Sequence, residues 1–366
     1  MQCACCSTAC LPAGFPGVAQ QPTPLEVGRV KRACLLVLPA LLLPVSGCGK
    51  KQTGEIRLSL ILREGSDWYR GAERWKQLVE DRSKGTLRVS LYPGAQLANS
   101  NQRTELEMVQ SGVIEASLES TILLTLLDQE FSVFSLPWLF REHSVANAVC
   151  DGKLGQELLD LLPPKKLVGL AYGANGFRQV TNSRRPVRTP ADLKALKIRV
   201  PAIKMYVSLF KLLGADPSSM NFGELFTALK EGTMDGQENP LAVIQQSKLY
   251  EVQKYVTRWD YSYDPLVLCM NKKRWESFSP EQQELLKTAA VEAMDYERKL
   301  VEAGRDALEK KLQSEGMTVT RLTPEQLKPF EAQVAPLYEE YANVIGKDLI
   351  DRFRAAAKAA EAADGD

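Results

Sequence analysis

The 366-residue chain contains one histidine, His143. That excludes a histidine cluster as a metal site or proton relay, and the polar run Arg141-Glu142-His143-Ser144 reads as an exposed loop or a helix start. No Cys/His/Asp set has metal-ligand spacing. Neither a Gly-x-Ser-x-Gly elbow nor a Gly-rich phosphate loop occurs. Gly169, Gly173 and Gly176 have the wrong spacing for a dinucleotide fingerprint and read as the turn into Arg178. No charge sign dominates: 46 basic and 45 acidic residues are interspersed, for a net charge of +1. Such a balance argues against a nucleic-acid surface. No catalytic residue, metal or cofactor is expected. An enzyme would have to use Glu119 or Asp235 as a base, with Arg199 positioning an acid substrate.

Long apolar runs are also missing. The longest, Ala33 to Leu43 after Lys31-Arg32, is too short to span a bilayer and fits an export signal. It ends Val45-Ser46-Gly47-Cys48, which resembles a lipobox, so Cys48 is expected to carry the lipid that tethers the mature chain to a membrane. Residues 1–47 are then a signal region removed on maturation. The Pro-, Gly- and Cys-rich lead from Met1 to Arg29 has no periodic apolar pattern, and translation is expected to begin at Val30. Of eight cysteines, Cys3, Cys5, Cys6, Cys10 and Cys34 fall in the removed part. Cys150 and Cys269 remain, each beside apolar residues, and read as two separate buried thiols more than as a disulfide.

What is present is an alternation of strands and helices, with enough chain for two lobes. Residues 56–61, 87–92 and 167–172 read as strands, and a helix is expected over about 69–82. Thr189-Pro190-Ala191-Asp192, Ser279-Pro280-Glu281-Gln282 and Thr323-Pro324-Glu325-Gln326 each supply a hydroxyl cap, proline at the first helical position and an acid or amide at the third. From Pro280 to Ser314 no proline interrupts and Gly304 is the only glycine, so one long helix, or two broken near Gly304, is expected.

The most informative residue is Arg199. It sits between Ile198 and Val200 in a short apolar run closed by Pro201, which reads as a buried strand. A guanidinium there needs a partner, because an unpaired buried charge is costly. That partner is either an internal acid or the carboxylate of a ligand, whose planar geometry suits the arginine fork.

Three segments bear on the choice: Phe177-Arg178-Gln179-Val180-Thr181-Asn182, Leu193 to Pro201, and Met234-Asp235-Gly236-Gln237-Glu238-Asn239-Pro240. Together with Tyr69 to Trp75, Phe134 to Arg141 and Met270 to Trp275, they resemble the DctP-type extracytoplasmic solute receptors of tripartite ATP-independent periplasmic (TRAP) transporters. The resemblance covers roughly Glu55 to Leu286. It implies an α/β, two-lobed periplasmic-binding-protein-like fold with a hinge and a long helix spanning both lobes. It further implies that Arg199 pairs with a ligand carboxylate, that Arg178 and Asn239 assist, and that Phe222 closes over the ligand. Trp68 matches a common family aromatic.

On that reading residues 55–174 plus 265–304 form the first lobe and 175–264 plus 305–366 the second. Crossings are expected near Ala174-Asn175 and Tyr263 to Pro265. The partners implied are a small organic acid and the membrane subunits of a TRAP permease, with no nucleic acid and with the membrane reached only through the lipid. A sensory receptor presenting the same ligand to a signalling partner is the alternative. Glu119, in Ser117-Leu118-Glu119-Ser120-Thr121, stands where many family members carry a small residue. Placed near the anion site it would repel a second carboxylate and accept hydroxyls, favouring a sugar acid; a solvated or internally paired glutamate is the other reading. Two family histidines are absent, replaced around Ser59-Leu60 and Tyr261-Ser262-Tyr263-Asp264-Pro265, so Tyr261 and Tyr263 are either pocket contacts or core aromatics.

Overall fold

The computed structural model describes residues 54–364. The export segment, Cys48 and the expected start at Val30 lie outside them. Ten strands occur in the described chain. The first four are β1 (Gly54–Leu60), β2 (Leu87–Pro93), β3 (Ala116–Ser120) and the long β4 (Leu167–Asn182). They are followed by β5 (Lys197–Val200), β6 (Asp216–Ser219), β7 (Gly236–Pro240), β8 (Tyr255–Arg258), β9 (Tyr263–Asn271) and β10 (Thr318–Arg321).

Pairing divides them into two sheets that share β4. On one side β1 runs parallel to β2 and β3, β3 pairs antiparallel with β9, and β9 pairs antiparallel with β4 from Leu167 to Phe177. On the other, β4 from Arg178 to Asn182 pairs antiparallel with β7 and β8. There β5 lies parallel between β6 and β7, and β10 parallel to β8. The chain thus passes from one sheet to the next between Phe177 and Arg178. The glycines ahead of this point do not form a turn. Gly169 and Gly176 flank register shifts within one continuous strand, and Gly176 takes φ +98°, a conformation open to a residue without Cβ.

The caps expected at Ser279 and Thr323 start their helices, and the first helix begins two residues ahead of the expected start near Tyr69. In Asp67–Arg82, Ser66 Oγ accepts from the Tyr69 amide, an acid opens the first turn and an arginine closes the last. Trp68, Ala72, Trp75 and Val79 recur at helical spacing and are buried. Ser279 and Gln282 form a reciprocal capping box for Pro280–Ser314, which runs unbroken through Gly304 for 35 residues, about 50 Å at 1.5 Å per residue. Its N-terminal half packs on helix Asp67–Arg82 and its C-terminal half reaches β10 in the second sheet. The two helices approach closely at Gly71, where an added Cβ would stand 2.8 Å from Glu297 Cβ.

Helices Pro336–Ile345 and Lys347–Asp364, assigned from sequence to the second lobe, also pack on the segment 129–135. Phe353 meets Phe134 edge-on at 5.4 Å. His143 does begin a helix, His143–Asp151, but it is buried and not exposed. It stands edge-on to Phe177 at 4.9 Å and Tyr263 at 5.5 Å, and burial pushes its pKa down to about 4, which keeps the ring neutral at pH 7. Cys150 and Cys269 are separate buried thiols.

Candidate functional site

Arg199 leaves the third residue of β5 between Ile198 and Val200, both fully buried, and is itself 2% exposed. Its Nε and Nη2 donate to the Met220 carbonyl at 2.9 and 2.6 Å. Phe222, first residue of helix Phe222–Lys230, lies with its ring centroid 5.9 Å from the guanidinium carbon. Among the described residues no carboxylate forms an ion pair with Arg199. Burial pushes its pKa down to about 10; Glu238 opposes that and Arg178 adds to it. The side chain therefore stays charged at neutral pH, with its Nη1 edge uncommitted.

Arg178, just past the sheet crossing on β4, is engaged on every side. Nε and Nη2 hold the Glu238 carboxylate at 2.5 and 2.9 Å, and Nη1 donates to Asp264 Oδ2 at 2.7 Å. Nη2 also reaches the Glu238 carbonyl and Asn239 Oδ1. Burial works against its charge, yet Glu238 and then Asp264 hold the pKa well above the ordinary arginine value. Tyr261 donates its hydroxyl to Glu238 Oε2 at 2.6 Å, so this tyrosine belongs to the support behind Arg178. Tyr263 bonds Asn147 and sits in the core. Neither tyrosine lines the cavity described next.

Arg199, Arg178, Asn239, Phe222 and Trp68 do border one cavity between the two sheets. Gln102, Ser120, Asn175 and Asp264 border it too. Trp68 Nε1 donates to Asn175 Oδ1 at 3.1 Å, and Asn175 Nδ2 to Asp264 Oδ2 at 2.7 Å. Residues from β3, β4, β5, β7 and β9 thus meet at the strand ends where the sheets join, as ligand sites commonly do in α/β folds. Asp264 was within reach of sequence reasoning. It is a charge at the start of a strand otherwise apolar from Pro265 to Met270, and the logic that marked Arg199 applies to it equally.

Glu119 is the exception among the expected site residues. It does not line this cavity. Side chains alternate along a strand, so Ser120, which donates to Asp264 at 2.6 Å, takes the cavity side. Glu119 points away with Ser117, into the packing beneath helix Gln102–Ser111, where it meets Glu105. Both carboxyls are fully buried, and none of their four oxygens has a hydrogen-bond partner among the described residues. The internal reading of Glu119 is the one its position supports. No group of His, Cys, Asp and Glu residues suited to a metal occurs among the described residues.

Two buried arginines, Arg178 on β4 and Arg199 on β5, thus border the cavity, the first paired with Glu238 and Asp264 and the second without an acidic partner among the described residues. Residues 58–344 match the DctP model, bacterial extracellular solute-binding protein family 7. The chain belongs to this family. It is 39% identical to the 2,3-diketo-L-gulonate-binding periplasmic protein of Escherichia coli K12 over 63% of this chain and 70% of that one. It superposes with a TM-score of 0.82 on the sugar acid binding protein of Advenella mimigardefordensis in complex with galactonate. Identity there is 35%, covering 84% of this chain and 99% of that chain. A TRAP periplasmic solute binding protein of Ralstonia eutropha H16 with bound (S)-2-acetolactate gives a TM-score of 0.80 at 37% identity, over 83% and 98% of the two chains. As a member of this family the chain is a two-lobed extracytoplasmic solute receptor for organic acids. No helix among the described residues is long and apolar enough to cross a membrane.

Proposed function

We propose that this receptor captures a hydroxylated monocarboxylate of the sugar-acid class and delivers it to the membrane subunits of a TRAP permease. The observation that carries this is the charge balance around the cavity. Arg178 is held by Glu238 and Asp264, and Arg199 is the one lining cation without an ion-pair partner among the described residues. One free guanidinium edge matches one carboxylate. Asn239, which also lines the cavity, accepts from Arg178 at Oδ1 and donates from Nδ2 to Gln237 Oε1. Diketogulonate, galactonate and acetolactate, the ligands of relatives at 35–39% identity, each carry one carboxylate together with hydroxyl or oxo groups, whereas relatives at 27–30% identity are named for C4-dicarboxylates or hold succinate.

Capture works by closure of the lobes about β4 and β9, with crossings at Ala174 to Arg178 and Tyr263 to Pro265. Phe222, beside Arg199 and at the start of its helix, then shields the ion pair from water. Shielding strengthens the pair because the effective dielectric falls. A thermal-shift screen of the purified protein against sugar acids, dicarboxylates, 2-oxo acids and amino acids tests the reading. A ligand that binds only the folded state raises the melting temperature, by an amount that grows with the logarithm of its concentration above Kd. The expected hits are hydroxylated monocarboxylates. A screen in which no acid moves the transition, repeated after refolding to release any carried ligand, would refute the carboxylate reading.

The anchor belongs to the same proposal. Val45-Ser46-Gly47-Cys48 supports lipidation at Cys48, which would keep the receptor near its permease. Membrane fractionation checks this: the Cys48→Ser protein is expected in the soluble fraction and the native protein with membranes.

A further inference from the structure

We infer that Asp264 is a specificity-determining residue of the site: it accepts a hydroxyl of the ligand and turns away a second carboxylate. The inference rests on the reading of Arg199 as the carboxylate anchor. Asp264 is 1% exposed, lines the cavity, and opens the buried strand β9 beside Pro265. Three donors converge on it. Ser120 Oγ lies 2.6 Å from Oδ1, while Asn175 Nδ2 and Arg178 Nη1 each lie 2.7 Å from Oδ2. A carboxyl approached only by donors is an ionised acceptor. Asn175 cannot readily swing away, since its carbonyl is held by Trp68 Nε1.

Counting lone pairs locates the remaining capacity. Oδ2 receives two hydrogen bonds and is saturated, whereas Oδ1 receives one and can accept another from the cavity. A ligand hydroxyl supplies that donor. A second carboxylate has none to give. Charge points the same way. Arg178 and Arg199 balance Glu238 and Asp264, so a bound monocarboxylate leaves the cluster with one net negative charge and a dicarboxylate leaves it with two. With no further cation lining the cavity, the second charge would be buried beside Asp264 unpaired, which is costly. The excluding role that a glutamate on β3 could have played thus falls to an aspartate on β9, because Glu119 faces the other way.

Isothermal titration of D-gluconate, D-erythronate and succinate to the native protein, Asp264→Asn and Ser120→Ala tests this. Asp264→Asn keeps the shape and removes the charge. It is expected to shrink the preference for the better hydroxy acid over succinate by at least about tenfold, one hydrogen-bond-sized change in relative affinity. Ser120→Ala keeps the charge and frees an acceptor site, so the preference is expected to survive. An unchanged preference in Asp264→Asn overturns the inference. So does an equal loss of all three ligands, which would mark a merely structural residue, and so does a native protein that prefers succinate. In that last case the Arg199 anchor stands, whereas a native protein that no acid of the wider thermal-shift screen stabilises removes the carboxylate reading itself.

Discussion

Arg199→Lys is expected to weaken acid binding by about 30- to 100-fold, equivalent to roughly 2–3 kcal/mol for a lost charged hydrogen bond, while the unliganded protein still folds. The native guanidinium does two jobs at once. Its Nε and Nη2 cap the Met220 carbonyl, and its Nη1 edge stays free for the ligand. An ammonium on a flexible stem is a point charge and cannot keep the carbonyl capped while presenting a planar two-donor edge. The Met220 carbonyl matters because it fixes the chain two residues before Phe222, at the start of the helix that carries the closing aromatic. Isothermal titration of the ligand found by screening, with a melt of each unliganded protein alongside, provides the measurement. Affinity within threefold of native in a folded Arg199→Lys protein would place the carboxylate elsewhere in the cavity.

Why Arg199 could be found from sequence, and the placement of Glu119 could not, comes down to what one strand of sequence specifies. A cation flanked by buried aliphatics must have a partner whatever the rest of the fold does, so Ile198-Arg199-Val200-Pro201 carries its own argument. The caps at Ser279 and Thr323 are likewise local, and both are made. Which face of β3 looks into the cavity is not local. Ser117 to Ser120 are all buried, so no polar and apolar alternation marks the two sides. A shift of one position exchanges Glu119 for Ser120. Only the pairing of β3 with β9, which sets Ser120 opposite Leu266 and near Asp264, decides it. The continuous β4 was hidden for a related reason. Its glycines look like punctuation in sequence, but in the fold they are register shifts at which a single strand changes partners. Long-range ion pairs such as Arg178 with Glu238 and Asp264 join residues 60 and 86 positions apart and leave no local trace.

The buried acids that the site does not use yield the second large effect, on stability. Glu105 and Glu119 face each other beneath helix Gln102–Ser111, beside the hydroxyls of Ser59 and Ser117 and the thiol of Cys269. No cation pairs with either, and the nearest arginine on β1, Arg57, is committed to Glu115. Burial raises the Glu105 pKa to about 7, and burial followed by the proximity of Glu105 raises that of Glu119 well above the ordinary carboxylate value. Both carboxyls are therefore protonated more readily in the folded chain than in the unfolded one. Their contribution is fully present below the unfolded-state value of about 4.3 and is lost as pH rises through the folded values, the first near 7. For Glu105 alone the loss is on the order of 4 kcal/mol, at roughly 1.4 kcal/mol per unit of pKa. Glu119→Gln replaces the acid by a neutral group of the same shape and removes the charge repulsion that Glu105 would meet on ionising. The melting temperature of the ligand-free variant is expected to exceed that of the native protein by several degrees at pH 8 and to converge on it at pH 4.5. Parallel melting curves across that range would show that the pair is already satisfied at neutral pH. The convergence at low pH is the decisive part, because a simple packing gain from glutamine would persist at every pH.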